Sequence, residues 1–127
     1  MQNPRNLLVY AKAKSLAAEA YQLTAGFPSQ ERFGLISQVR RAAVSIGANI
    51  AEGCGRSGNR ALCAFLYNAM GSASELEFHL ELAIELHFCD EERAARLRAH
   101  VAETKSMLSR LLVRLRARPD RAITAGR

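Results

Sequence analysis

Polar side chains recur at helical spacing along one stretch near the middle of the chain. Gln38, Arg41, Ser45, Asn49 and Glu52 follow one another at intervals of three and four residues, which places them on one face of a helix. Their amide, hydroxyl, carboxylate and guanidinium groups all form hydrogen bonds. Such a face suits either an internal polar network or an interface with a second copy of the chain. The sequence leaves both interpretations open.

Two further charged residues extend this candidate polar set. An internal network would pair Arg40 or Arg41 with Glu75 across a bundle, and would let Asn49 and Glu52 satisfy the ends of each other's helices. An enzyme built on the same groups would need them in an open cleft with displaced pKa values. No Ser–His–Asp or Cys–His arrangement follows from the spacing, so we expect no catalytic residue.

Arginines form a second pattern near the C-terminus. They lie at i, i+4, i+8 and i+11, on one stripe if the helix persists to its end: Arg110, Arg114, Arg118 and Arg121. Such a row can follow the phosphates of a nucleic acid, and the alternative is a solvated outer face rich in good helix formers. No aromatic residue interleaves with these arginines in the sequence, so base stacking is not indicated.

Spacing argues against a metal site and against the common nucleotide-binding loops. His79 lies four residues after Glu75 and His87 lies two after Glu85, so the Glu-x-x-His motif of carboxylate-bridged bundles is missing. The run GCGRSG at residues 53–58 reads as GxGxxG but follows a helical pattern, which favours a turn with a C-cap glycine. We therefore expect no metal and no cofactor.

Composition bounds the class of protein. A chain of 127 residues with 49% apolar residues, 6% aromatic residues and no Trp predicts one domain of closely packed helices. Three cysteines without a CxxC motif predict free thiols. No apolar run of about 18 residues and no signal-peptide pattern is present, so we expect a cytoplasmic protein without a membrane span.

The net charge of +6 is uneven along the chain. Residues 90–127 carry ten basic and five acidic side chains, whereas residues 1–89 carry eight and seven. The basic character therefore lies in the last third of the sequence. Polyanions are plausible partners, and no small-molecule substrate is evident.

Prolines, glycines and capping residues divide the chain into four helical segments. Asn3, Ser29 and Asp90 are candidate N-caps. Short connections between long amphipathic helices force neighbours to run antiparallel. We predict an all-α, up-down-up-down four-helix bundle over residues 1–118 and a mobile C-terminal tail over residues 119–127. The predicted helices run from about Pro4 to Thr24, 29 to 53, Asn59 to Phe88, and Asp90 to Pro119.

Two expectations about the third helix follow from its spacing. Its predicted apolar seam includes Phe65 and ends at His87. A separate acidic row, Glu77, Glu81 and Glu85, recurs every four residues and is expected to face solvent.

One long run resembles a known family. FPxxERFGLxxQxRRAAVSIxxNIAEG from Phe27, with Gly55-Arg56 after it and GSASELE at residues 71–77, is similar to the four-helix bundle proteins, also called the 23S rRNA intervening-sequence proteins. The resemblance implies a small cytosolic bundle assembled into a ring-like homopentamer. It carries over no catalytic residue. The motif positions that match are Glu31, Arg32, Gln38, Arg40, Arg41, Ser45, Asn49, Glu52, Arg56 and Glu75.

The resemblance also bears on partners. Some family members are encoded inside intervening sequences of bacterial 23S rRNA genes. The fold is similar to that of the accessory variability determinant of diversity-generating retroelements, a basic pentamer linked to nucleic acid. The first hypothesis is therefore a non-enzymatic, homo-oligomeric basic bundle that binds RNA or DNA through charge and shape. The alternative is a protein–protein interaction scaffold with no nucleic-acid role.

Overall fold

The structure, a computed structural model, describes residues 3–4 and 7–118. All regular structure in these residues is helical, with no strand, which confirms the predicted all-α class. A short 3-10 turn, Ser29–Glu31, precedes the second of four α-helices. The helices are α1 (Leu8–Thr24), α2 (Leu35–Cys54), α3 (Asn59–Glu85) and α4 (Glu91–Arg116).

Each helix packs against the next one along the chain, and α4 closes the bundle by packing against α1. On every adjacent pair, the residue numbers of contacting side chains rise along one helix and fall along the other. The helices are therefore antiparallel neighbours, as predicted. For α1 and α2 the residue pairs are Ala13 with Gly47 and Thr24 with Arg40, and for α2 and α3 they are Ser45 with Ser72 and Gly53 with Phe65. For α3 and α4 they are Glu77 with Lys105 and Glu81 with Arg98, and for α1 and α4 they are Lys12 with Glu103 and Glu19 with His100.

The core lies along the bundle axis and is built from Leu, Ile, Val and Ala side chains. Thr24 and Thr104 are also buried, and each hydroxyl donates to the backbone carbonyl four residues earlier, at 2.8 Å. The predicted seam of α3 needs two corrections. Leu66 is fully buried while Phe65 is only half-buried, and His87 is exposed beyond the helix end.

The start of α1 differs from the prediction. Leu7 has an extended backbone, with φ −98° and ψ 123°, so α1 begins at Leu8 and Leu7 is its N-cap. The Leu7 N–H donates to the Pro4 carbonyl at 3.0 Å, which closes a separate turn before the helix. Asn3 therefore does not cap α1.

The start of α2 also differs, for a related reason. Ser29 lies inside the 3-10 turn, and Gly34 takes the N-cap position of a helix that begins at Leu35. The carboxylate of Glu31 accepts a hydrogen bond from the Leu35 N–H at 3.1 Å. Glu31 thus satisfies one of the free N–H groups at this end, a role that the sequence analysis gave to Ser29.

The turn predicted at residues 53–58 is present between α2 and α3. Gly55 is the C-cap of α2, as expected for a glycine there, although its φ of −79° is right-handed. Gly58 has φ 87° and is the N-cap of α3. The residue of this turn with a positive φ is therefore Gly58, and the backbone of any residue with a side chain would be strained there.

The end of α3 is a Schellman motif. The Phe88 N–H donates to the Ala83 carbonyl and the His87 N–H donates to the Ile84 carbonyl, both at 3.0 Å. His87 adopts the left-handed conformation, φ 59°, at the position where glycine is usual. This explains why the helix stops before the predicted Phe88.

The limits of α4 agree better with the sequence. The Asp90 carboxylate accepts from the Glu92 N–H at 3.2 Å, which confirms the predicted N-cap. The helix ends at Arg116, before Pro119. The predicted mobile tail, residues 119–127, lies outside the described residues. None of the helices described is long and apolar enough to span a membrane.

Candidate functional site

The two ends of the bundle carry opposite charge. We call the end where α1 and α3 begin and α2 and α4 finish the basic end, and the other the acidic end. The acidic end, over residues 19–41 and 75–100, holds six basic and nine acidic side chains. The basic end, over residues 7–14, 51–63 and 108–118, holds eight basic side chains and one acidic side chain, Glu52. The eight are Lys12, Lys14, Arg56, Arg60, Arg110, Arg114, Arg116 and Arg118.

This separation of charge is a product of the fold and not of the order of residues. The sequence placed the positive charge in the last third of the chain, but Arg93, Arg96 and Arg98 of that third lie at the acidic end. Arg56 and Arg60 come from the middle of the chain and join the C-terminal arginines through the turn between α2 and α3.

Arg110 and Arg114 are on α4 and lie together beside the start of α1. They line an open groove of about 390 Å³ beside Leu7 and Leu8. The Arg110 guanidinium donates to the Ser106 hydroxyl at 3.0 Å and remains exposed. Both guanidinium groups are therefore available to a ligand, as the predicted phosphate-binding stripe requires.

Arg118 does not continue that stripe. Because α4 ends at Arg116, Arg118 lines a different groove, between α3 and α4, together with Arg60 and Arg116. In this second groove an Arg116 guanidinium N–H donates to the Tyr67 hydroxyl at 2.8 Å. The sequence analysis found no aromatic residue among the arginines, whereas the fold places Tyr67 there. The fourth predicted arginine, Arg121, lies outside the described residues.

Part of the predicted polar row is an internal network between α2 and α3. The hydroxyl groups of Ser45 and Ser72 share a hydrogen bond of 2.8 Å. The Asn49 amide donates to the Ser45 carbonyl at 2.9 Å and to its hydroxyl at 3.0 Å. These residues form hydrogen bonds within the single chain, and their part in an interface stays a prediction.

Arg40 belongs to a different contact, at the end of α1. Its Nε donates to the Thr24 hydroxyl at 2.8 Å, and its guanidinium lies 4.5 Å from the Tyr21 ring centre. A cation here is favourable because the last carbonyls of a helix lack partners. The suggested pairing of Arg40 or Arg41 with Glu75 is absent among the described residues, where the Glu75 carboxylate lies 3.5 Å from His79 Nε2.

The outer members of the row are exposed or half-buried. Glu52 forms an exposed pair with Arg56 at 2.7 Å, so the predicted reciprocal contact between Asn49 and Glu52 is wrong. Arg41 is exposed and Gln38 is half-buried. This outer part of the row is accessible on the single chain.

The acidic row of α3 does not all face solvent. Glu77 accepts from Lys105 at 2.8 Å and Glu81 accepts from Arg98 at 3.1 Å, so both link α3 to α4. Only Glu85 is exposed without an ion pair among the described residues. These pairs neutralise Lys105 and Arg98, whereas among the arginines of the basic end only Arg56 has an ion pair in the described residues.

The three cysteines are free thiols. Cys54 is buried, and Cys63 and Cys89 are half-buried at opposite ends of α3. Burial raises the pKa of the Cys63 thiol, and the nearby Arg116 guanidinium partly opposes that shift. Among the residues that the structure covers, no cluster of three or more His, Cys, Asp or Glu side chains can hold a metal ion.

Comparison with known proteins decides the family. Residues 5–110 match the family described as 23S rRNA-intervening sequence protein. The chain belongs to this family. A solved Bacteroides thetaiotaomicron protein, described as having unknown function and belonging to the S23 ribosomal protein family, is similar with a TM-score of 0.75 and 25% identity, over 83% of this chain and 98% of that chain. No curated protein matches. Similarity to the accessory variability determinant stays a prediction.

Several residues that line the groove between α3 and α4 are absent from the predicted site residues. Arg60, Cys63 and Tyr67 recur at intervals of three and four on one face of α3. That spacing was available in the sequence. The groove itself could not be predicted, because nothing in residues 59–67 indicates that the end of α4 lies beside them.

Proposed function

We propose that the protein is a non-enzymatic, homo-oligomeric bundle that binds RNA or DNA through its basic end. One observation carries this proposal, namely that the described residues place eight basic side chains and one acidic side chain at the same end of the bundle. Such a surface attracts phosphates and releases counterions on binding, which gives an affinity that depends little on base sequence. The family description refers to 23S rRNA, and RNA is a polyanion whose phosphates such a surface would attract.

The test compares RNA and DNA binding of the nucleic-acid-free protein across a range of salt concentrations. The triple variant Arg110→Gln, Arg114→Gln, Arg118→Gln removes three exposed cations of the basic end. If each contacts one phosphate, the log–log salt slope falls by about two to three units, and affinity at about 0.1 M salt falls on the order of a hundredfold. Fluorescence anisotropy of a labelled oligonucleotide measures both quantities.

The matched control removes the same charge from the acidic end. Arg93, Arg96 and Arg98 lie there on α4, and replacing all three with Gln is expected to leave the salt slope unchanged. Equal losses in the two triple variants would show that only net charge matters and that the basic end is not the site. If the unaltered protein binds no nucleic acid at low salt, the proposal fails and the interaction-scaffold alternative replaces it.

Self-assembly is the second part of the proposal. Exposed apolar side chains line an open groove of about 680 Å³ along α2, and the most exposed of them is Phe33, at 89%. Exposed apolar side chains beside polar groups are typical of subunit interfaces. A ring, with five copies as the family resemblance suggests, would present several basic ends to one polyanion and raise the effective affinity.

A further inference from the structure

We propose that the groove between α3 and α4 at the basic end holds one unpaired nucleotide of a single-stranded nucleic acid, with the base against Tyr67 and the phosphate between arginines. This assignment rests on the proposed function, because it names which form of nucleic acid the basic end prefers. The groove has a volume of about 420 Å³, which is within the usual size of small-ligand sites.

The lining of the groove separates an apolar part from a charged rim. Cys63, Ala64 and Leu115 provide the apolar surface. Arg60, Arg116 and Arg118 provide three cations around it, and no acidic residue within the described part of the chain lines the groove. The one acidic side chain that the described residues place at the basic end, Glu52, is paired with Arg56, so a phosphate at this rim meets three cations.

Tyr67 is placed to stack with a base. Its side chain is 48% exposed, although it lies beside the apolar surface of the groove. The hydrogen bond from Arg116 to its hydroxyl holds the guanidinium at the edge of the ring, away from its faces. The exposed part of the side chain is available to a base, and stacking on an aromatic side chain tolerates any base.

The geometry favours single strands over duplexes. In a duplex, both faces of each base are covered by neighbouring bases, and freeing one face requires unstacking. An unpaired base brings its face to the groove without that cost. The grooved surface therefore adds affinity for a single strand that the arginines alone cannot provide.

The test measures affinity for a single-stranded oligonucleotide and for a hairpin duplex of the same length whose loop is a non-nucleotide linker, each made as RNA and as DNA. Replacing Tyr67 with Ala is expected to weaken single-strand binding about 5- to 100-fold, the usual loss per stacked base, and to change hairpin binding less than about twofold. Tyr67→Phe keeps the ring and is expected to retain single-strand binding. Phe78→Ala, an exposed ring on the same helix at the acidic end, is the matched control and is expected to change neither affinity.

The cysteines supply a second readout that needs no variant. Cys63 lines the groove, whereas Cys89 is half-buried at the acidic end and its thiol pKa is likewise raised by burial. Bound single strand is expected to slow alkylation of Cys63 at least severalfold and to leave Cys89 unchanged. Mass spectrometry of the two peptides gives both rates in one sample.

The outcomes separate this inference from the proposed function. If single strand and hairpin bind equally and Tyr67→Ala changes neither affinity, the groove assignment is overturned while charge-based binding stands. An unprotected Cys63 in the saturated complex also overturns it. If neither nucleic acid binds at low salt, the proposed function itself fails. Circular dichroism of Tyr67→Ala verifies that the variant is folded before its affinity is compared.

Discussion

The ring of His79 lies on α3 with its side chain only 12% exposed. Both ring nitrogens are buried and form no hydrogen bond within the described residues. The nearest carboxylate oxygen, of Glu75, is 3.5 Å from Nε2, which is too long for a good hydrogen bond. A buried polar group without a partner costs about 1–3 kcal/mol, so this residue reduces the stability of the single chain.

His79→Leu is therefore expected to increase the free energy of unfolding by about 1 kcal/mol, because it replaces buried nitrogens with an apolar side chain. The corresponding rise in Tm is about 4 °C for a chain of this size. Thermal unfolding followed by circular dichroism measures it. His87→Leu is the control, since His87 is exposed and its replacement should bring no gain. A destabilised His79→Leu variant would contradict the prediction and indicate that the assembled protein supplies the missing partner.

At the scale of helices, α2 and α3 approach each other closely near the basic end. A Cβ atom added to Gly53 would lie 2.8 Å from the Phe65 Cβ and 3.0 Å from the Leu62 Cδ1. A Cβ atom added to Gly71, in the middle of α3, would have no neighbour within 4 Å. The absence of a side chain at Gly53 therefore permits the close contact between α2 and α3, whereas Gly71 has room for a side chain.

Gly53→Ala is expected to lower the free energy of unfolding by about 1–3 kcal/mol, because the added methyl group forces α2 and α3 apart. Gly71→Ala is expected to raise it by about 0.5–1 kcal/mol, since alanine is the better helix former in an open position. Urea unfolding of the two variants gives the comparison. If Gly53→Ala were as stable as Gly71→Ala, the close contact between α2 and α3 would be wrong.

At the scale of the whole molecule, charge and apolar surface lie in different places. The excess of basic over acidic side chains is at the basic end, while the groove with Phe33 is formed by α2, the residues just before it and the end of α1. The proposed self-assembly through α2 would leave the basic end uncovered. One chain can use both surfaces together, which the combination of oligomer and nucleic-acid binder requires.

Phe33→Asp is expected to convert the proposed oligomer into single chains, because it places a charge in the apolar part of the interface. Light scattering after size exclusion should find a mass near a multiple of 14.0 kDa for the unaltered protein and 14.0 kDa for the variant. Leu8→Asp is the control, since Leu8 is 80% exposed but lies at the basic end. An unaltered protein that runs as a single chain would overturn the assembly proposal, and an unchanged mass for Phe33→Asp would overturn the choice of surface.

The sequence by itself determined the helical class and the four helical segments. Apolar residues at intervals of three and four define one face of a helix, whichever helix it packs against. The buried residues of α1 and α4 recur at these intervals. Asp90 could be assigned as an N-cap because capping depends on residues close in sequence. Asn3 and Ser29 could not, since the turns beside them displaced the helix starts.

The tertiary structure decided which side chains meet. Arg60 and Tyr67 join Arg116 only because α3 begins where α4 ends, a contact between residues about fifty positions apart. Arg40 donates to the Thr24 hydroxyl and the Tyr21 carbonyl of α1, and not to Glu75 of α3, which the sequence had allowed as a partner of Arg40 or Arg41. Helical spacing fixes the face of the helix on which a residue lies. The position of that residue along the bundle axis, and the helix that it faces, depend on how all four helices pack.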